Sequence, residues 1–265
     1  MKKVLVMSLL ALVVMTMSSC LRVKLGENGW SLINKYGHHN DTPTQVHQVG
    51  EVTQMQQFDG VGVAGPFNVI LEQGNASTVR VDGTTDQLAQ MTIYVENGDL
   101  VIDMKEDMVD SGKFFKGMRI FVSTPSVKSI EIAGSGTVTA PKALAVADLG
   151  LKVAGSGEIT LSQLTCQDLK MQIAGSGDMT LGTVQANEVE TEIAGSGDIE
   201  LAGLICKNVK NKIAGSGDIT LNNMEVDNVK TTIAGSGNVI LRGKAGSHDE
   251  DIAGSGKVDV SGLKN

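Results

Sequence analysis

The chain is poor in aromatic residues. It has one Trp, two Tyr and five Phe in 265 residues, and all eight precede Ile132. The second half therefore offers no ring on which a sugar could stack. Cationic residues are also outnumbered, 22 Lys and Arg against 30 Asp and Glu, for a formal net charge of −8. Such a chain is a poor electrostatic partner for nucleic acid or for anionic lipid headgroups. No stretch after residue 20 is long and apolar enough to cross a bilayer. There is no P-loop, no nucleophile motif and no metal-ligand spacing, and His248 is the one histidine beyond residue 131.

In place of these the chain has a repeat. Ile-Ala-Gly-Ser-Gly begins at Ile132, Ile173, Ile193, Ile213, Ile233 and Ile252, and Val-Ala-Gly-Ser-Gly at Val153; successive copies start 21, 20, 20, 20, 20 and 19 residues apart. So even a pitch marks a stack of identical supersecondary units. Within one unit Val189, Thr191 and Ile193 alternate with Glu190 and Glu192, the period of a strand with one covered face. Glycine then turns the chain, and Ile199 and Leu201 begin a second alternation. Helical spacing is absent. The pattern predicts an all-β fold, a right-handed parallel β-helix with ~20-residue rungs.

Stacking gives that reading its detail. Residues one period apart should lie about 4.8 Å apart on neighbouring rungs. The columns Leu149, Leu169, Val189, Val209, Val229 and Ile159, Met179, Ile199, Ile219, Val239 are then continuously apolar. Outside, Lys170, Glu190 and Lys210 alternate in sign before Lys230 repeats the lysine, which predicts a Glu190–Lys210 contact, and Glu192 falls beside Lys212. Asn211 breaks the inward rule. Cys166 and Cys206 share a column two rungs apart, about 9.6 Å, beyond the roughly 7 Å that a disulfide spans. They read as small core residues.

Four segments follow. Residues 1–19 are a signal peptide, with Lys2-Lys3 as its charged start and Val4 to Met15 as its apolar run. Met17-Ser18-Ser19-Cys20 resembles a bacterial lipobox, which implies cleavage before Cys20 and its lipidation; the alternative is an ordinary secretory signal with an incidental cysteine. The chain from Cys20 onward carries 20 basic and 30 acidic residues, a formal charge of −10, so membrane contact would come from acyl chains, at about 0.8 kcal/mol per buried CH₂. Residues 20–47 read as a tether, whose His38, His39 and His47 sit in polar surroundings with no ligand spacing. Residues 48–131 are β-rich without repeating and should cap the N-terminal end of the stack, whose strand edges would otherwise recruit other chains. Candidate strands there are 61–63, 67–72, 78–82, 91–95, 100–104 and 118–123, with Asn97-Gly98 as a hairpin turn. Residues 132–265 hold the repeats.

The Phe58-Asp59-Gly60-Val61 opening, Phe67-Asn68-Val69, Gly98-Asp99-Leu100-Val101-Ile102 and the Gly-Ser-Gly copies after Pro125 together resemble the auto-transporter adhesin, head GIN domain family, over about residues 50–260. The resemblance implies an exported, often lipid-anchored protein and an adhesive role.

Two groups of residues are candidate sites. Glu158, Asp178, Asp198 and Asp218 each follow a Gly-Ser-Gly and stack in one column. Like charges on adjacent rungs repel. Either they splay into solvent and accept hydrogen bonds from turn amides, or they hold a divalent cation such as Ca²⁺. As catalytic carboxylates they would suit a β-helix lyase or glycosidase, but catalysis needs unlike environments and this column repeats one. Phe114 and Phe115 cannot both point inward from a regular strand; one is a candidate contact for a ligand, unless the loop folds over the cap. The sequence thus predicts a non-enzymatic lipoprotein of the outer membrane or cell surface, membrane-bound through its lipid, an adhesin-like or structural module for a glycan or protein ligand. A polysaccharide-active enzyme and an envelope scaffold or regulatory protein are the alternatives.

Overall fold

The computed structural model describes residues 46–105 and 109–264. The signal segment, Cys20, Trp30, Tyr36, His38 and His39 lie outside the described residues.

The first strands are β1 (Val52–Gln54), β2 (Gly60–Ala64), β3 (Asn68–Gln73), β4 (Thr78–Asp82), β5 (Met91–Glu96), β6 (Asp99–Met104) and β7 (Arg119–Thr124). Strands β2 to β7 agree with those expected from alternation to within one residue at each end, and β1 was not expected. The Asn97-Gly98 turn forms as expected: both residues have positive φ, 53° and 86°, and β5 pairs antiparallel with β6. The sequence reading missed two short helices. Thr85–Ala89 is held by a capping box in which Thr84 and Gln87 satisfy each other's backbone amides. Ser111–Phe114 follows the undescribed 106–108.

The repeats then coil as β8 (Ser129–Gly134), β9 (Thr137–Ala145), β10 (Asp148–Gly155), β11 (Glu158–Thr165), β12 (Asp168–Gly175), β13 (Asp178–Gln185), β14 (Glu188–Gly195), β15 (Ile199–Gly215), β16 (Ile219–Gly235), β17 (Asn238–Gly254) and β18 (Lys257–Lys264). Strands one coil apart pair in parallel: Leu149 lies beside Leu169, Leu169 beside Val189, and Val189 beside Val209. Ile159, Met179, Ile199, Ile219 and Val239 form the second column. Every residue of both columns is buried. The β-solenoid with ~20-residue rungs is therefore the fold.

Each corner needs both of its glycines. Gly195 has φ +141°, and a Cβ there would overlap the carbonyl oxygen of Gly175 one coil below; a Cβ on Gly197 would overlap that of Gly177. Between them the Ser196 N–H donates to Gly175 O at 2.8 Å while its side chain faces solvent. The corner is thus a place where two backbones touch.

The segment 48–131 does more than cover an end. β2 pairs in parallel with β8 on one side and with β6 on the other, and β3 likewise with β9 and β7. Two further coils are built without a Gly-Ser-Gly, and they stack out of chain order: β6–β7, then β2–β3, then β8–β9. Gly65 (φ +129°) supplies the corner of the β2–β3 coil, its N–H donating to Ala133 O. The stack changes from parallel to antiparallel at this end, where β5 lies on β6, and β4 and then β1 lie on β7.

Asn211 has a partner on each side. It is buried between Thr191 and Thr231, accepting from Thr191 Oγ1 at 2.9 Å and donating from Nδ2 to Thr231 Oγ1 at 3.4 Å. Three polar residues in one inward column satisfy each other, which removes the penalty of burying any one alone.

Candidate binding cleft and carboxylate column

The carboxylate column forms, and one oxygen of each member is committed. Asp178 Oδ1 accepts the Asp198 N–H at 3.0 Å, Asp198 Oδ1 accepts the Asp218 N–H at 2.9 Å, and Asp218 Oδ1 accepts the Asn238 N–H and side-chain amide at 2.7 and 3.0 Å. Glu158 instead accepts from the Thr160 hydroxyl. The three aspartates repeat one arrangement, each ordering the corner of the next coil. Among the described residues no three His, Cys, Asp or Glu side chains converge as a metal set would.

Phe114 and Phe115 are placed in the N-terminal end of the core. Phe115 is 3% exposed and meets Phe67 edge-on at 4.9 Å; Phe114 packs against the core and stands edge-on to Phe115 at 5.0 Å. The Phe114 carbonyl accepts from Gln87 Nε2, tying the two helices together. The pair reaches these positions because it leaves a helix rather than a strand, so the inside–outside alternation of a strand does not apply. Phe115 has no face to offer a ligand.

The cysteines are inert by environment. Burial first, and then the nearby Asp148 and Asp168 carboxylates, push the Cys166 thiol up to about 11; burial and Asp227 push Cys206 up to about 12. Both stay protonated at neutral pH and are poor nucleophiles.

The outward ion pairs follow the expected straight ladder on one side of Glu190 and leave it on the other. Glu190 pairs straight across with Lys170 at 3.4 Å, but it sits beside Lys210 in register and pairs diagonally with Lys212 at 2.8 Å. The Lys212 hydrogen bond is the main force holding the Glu190 carboxyl below its ordinary range, against a desolvation that raises it. Glu192 accepts from Gln172 instead. Diagonal neighbours on a sheet lie about 7–8 Å apart at Cα, within reach of a long lysine.

A cleft of about 230 Å³ opens on the outer face of β1, β4, β7 and β3. Cross-strand register sets Val52, Arg80, Phe121 and Ile70 side by side across it. The next row places Thr78 beside Ser123 and Ser123 beside Glu72. Arg80 lies over the Phe121 ring, 4.3 Å from its centroid, and Arg119 reaches within 5.6 Å of the same ring. Asp82 stands opposite Arg119 and pairs with Arg80 at 3.3 Å. The sequence reading missed this group. Its only signal was alternation in Thr78-Val79-Arg80-Val81-Asp82 and Arg119-Ile120-Phe121-Val122-Ser123, which turns Arg80 and Phe121 outward but does not say that the two strands are neighbours.

Comparison with known proteins gives the lineage of this arrangement. A putative adhesin from Bacteroides fragilis superposes with a TM-score of 0.73 at 22% identity, covering 82% of this chain and 99% of that one. A putative lipid binding protein from Parabacteroides distasonis gives 0.64 at 22% identity over 79% and 92%, and a putative adhesin from the same species gives 0.67 at 23% over 79% and 94%. At these identities the likeness is one of fold. No curated protein matches the chain. The family model described as putative auto-transporter adhesin, head GIN domain, matches residues 57–223 and 210–265. These ranges take in both the coils without Gly-Ser-Gly and those with it, and the chain belongs to that family.

Proposed function

We propose that this chain is a lipid-anchored, non-enzymatic binding module of the outer membrane or cell surface, held by acyl chains on Cys20 and presenting the solenoid wall to a glycan or protein ligand. The observation that carries the reading is the fate of the repeat's carboxylates. Acid–base catalysis needs neighbouring groups whose environments differ, whereas Asp178, Asp198 and Asp218 each hold the next coil's amide in the same way. Recognition groups, by contrast, gather in the cleft over Phe121 on a rigid sheet.

Cells producing the chain and cells producing Cys20→Ala test it. The unsubstituted chain should sediment with membranes through a salt wash, and its cells should adhere to a glycan- or matrix-coated surface. Cys20→Ala should be released from membranes and abolish adherence. Membrane retention or unchanged adherence of Cys20→Ala would contradict the reading.

A further inference from the structure

We infer that the cleft over Phe121 is a subsite for one carboxylated sugar ring, of the uronic or sialic acid kind, within a larger glycan. The inference rests on the binding reading above and names the ligand chemistry of that surface.

Size comes first. At about 230 Å³ the cleft is smaller than the roughly 300–1,000 Å³ pockets that enclose drug-sized molecules, so it suits one ring. Its floor is mostly apolar. Val52, 66% exposed, stands at one end of the row and Ile70 beside the half-buried Phe121 at the other, with Arg80 between. Among the described aromatics, Phe58, Phe67, Tyr94 and Phe115 are buried and Phe114 packs against the core, whereas Phe121 lines an open surface. A sugar presents a C–H face to such a floor and hydroxyls to its rim.

Charge selects the kind of sugar. Two guanidinium groups converge on one ring; Asp82 pairs with Arg80 and stands opposite Arg119, and the Glu72 carboxylate at the rim is paired with Lys142. Arg119 is exposed and enters no ion pair among the described residues. Guanidinium is weakly hydrated and forks to both oxygens of a carboxylate, so a ligand carboxylate that reaches Arg119, just beyond the cleft lining, and shares Arg80 with Asp82 gains charge-assisted hydrogen bonds at modest desolvation cost. With Arg80 paired to Asp82 and Lys142 to Glu72, the charge left over here is the positive one of Arg119, the reverse of the chain's −8, and it favours an anionic ring over a neutral one. At the rim Thr78 and Ser123 offer hydroxyls. Glu72 gives Oε2 to Lys142 at 2.6 Å, which leaves Oε1 to accept from a sugar hydroxyl.

The test titrates glucuronic acid, N-acetylneuraminic acid, glucose and inorganic phosphate into the full chain, followed by ligand-observed NMR. One of the two acidic sugars should bind at least about tenfold more tightly than glucose, the worth of about one charge-assisted contact. Arg119→Ala, at an exposed position that leaves the fold's melting temperature unchanged, should weaken it about tenfold; Arg80→Ala should do the same. Equal binding of glucose, displacement by phosphate at equal affinity, no binding of either acidic sugar, or indifference to Arg119→Ala would each overturn the inference. If the chain still retains other glycans in any of these cases, the subsite assignment fails and the binding reading stands; if it retains none, both fail.

Discussion

At the scale of single residues, the corner glycines carry the fold. Gly195 combines a φ of +141° with contact to the backbone of Gly175, so a side chain there is both strained and obstructed. Gly195→Ala should cost about 1–3 kcal/mol from dihedral strain alone, with more from the displaced carbonyl. Ser196→Ala keeps the N–H bond to Gly175 O and should stay within about 0.5 kcal/mol. Thermal unfolding of the two variants checks this; equal losses would mean that the corner is not a backbone contact. The Gly-Ser-Gly signal was legible because it recurs. Asn211 was not, since its reason lies in Thr191 and Thr231, each 20 residues away, and appears only once register is fixed.

At the scale of elements, most strands were readable because one buried face enforces alternation, as in β4 and β7. Which strands adjoin was not. β2 lies between β6 and β8, an order set by the fit of coil on coil, with no local sequence mark. Side-chain direction was lost for a similar reason. The straight column suggested Glu190 with Lys210, whereas the lysine that reaches it best is Lys212 on the diagonal. A double-mutant cycle on Glu190→Ala and Lys212→Ala should give a coupling of about 0.2–1 kcal/mol, and the cycle with Lys210→Ala almost none. The pH dependence follows from the shifts. Glu190 is depressed in the folded state, so its contribution is present above its unfolded pKa and lost as pH falls through the folded one. Lys212 is raised, so its contribution is complete below its unfolded pKa and lost as pH rises through the folded one. The coupling should hold between about pH 5 and 10 and fade outside that window. A coupling at Lys210 equal to that at Lys212, or one unchanged at pH 2, would refute the geometry.

At the scale of the whole molecule, the division of labour is between a uniform stack and an irregular end. The repeats repeat their environments, which suits a rigid spacer and gives no place for a single reactive group. The end built from 48–131 carries the described aromatics, the two helices and the cleft. Sequence reasoning located the aromatics there but chose Phe114 and Phe115, because adjacency in the chain is visible and adjacency across strands is not; Arg80 and Phe121 are 41 positions apart in the sequence. The central claim is that the molecule binds without turning its ligand over. It is tested most directly by placing the Cys20→Ala chain on a panel of immobilised glycans and assaying the same glycans, after long incubation with the chain, for new reducing ends and unsaturated products. The account predicts retention of a subset of glycans, weakened by Arg119→Ala, with no product above the protein-free control. Product that accumulates with time and disappears in Asp178→Asn/Asp198→Asn would contradict it.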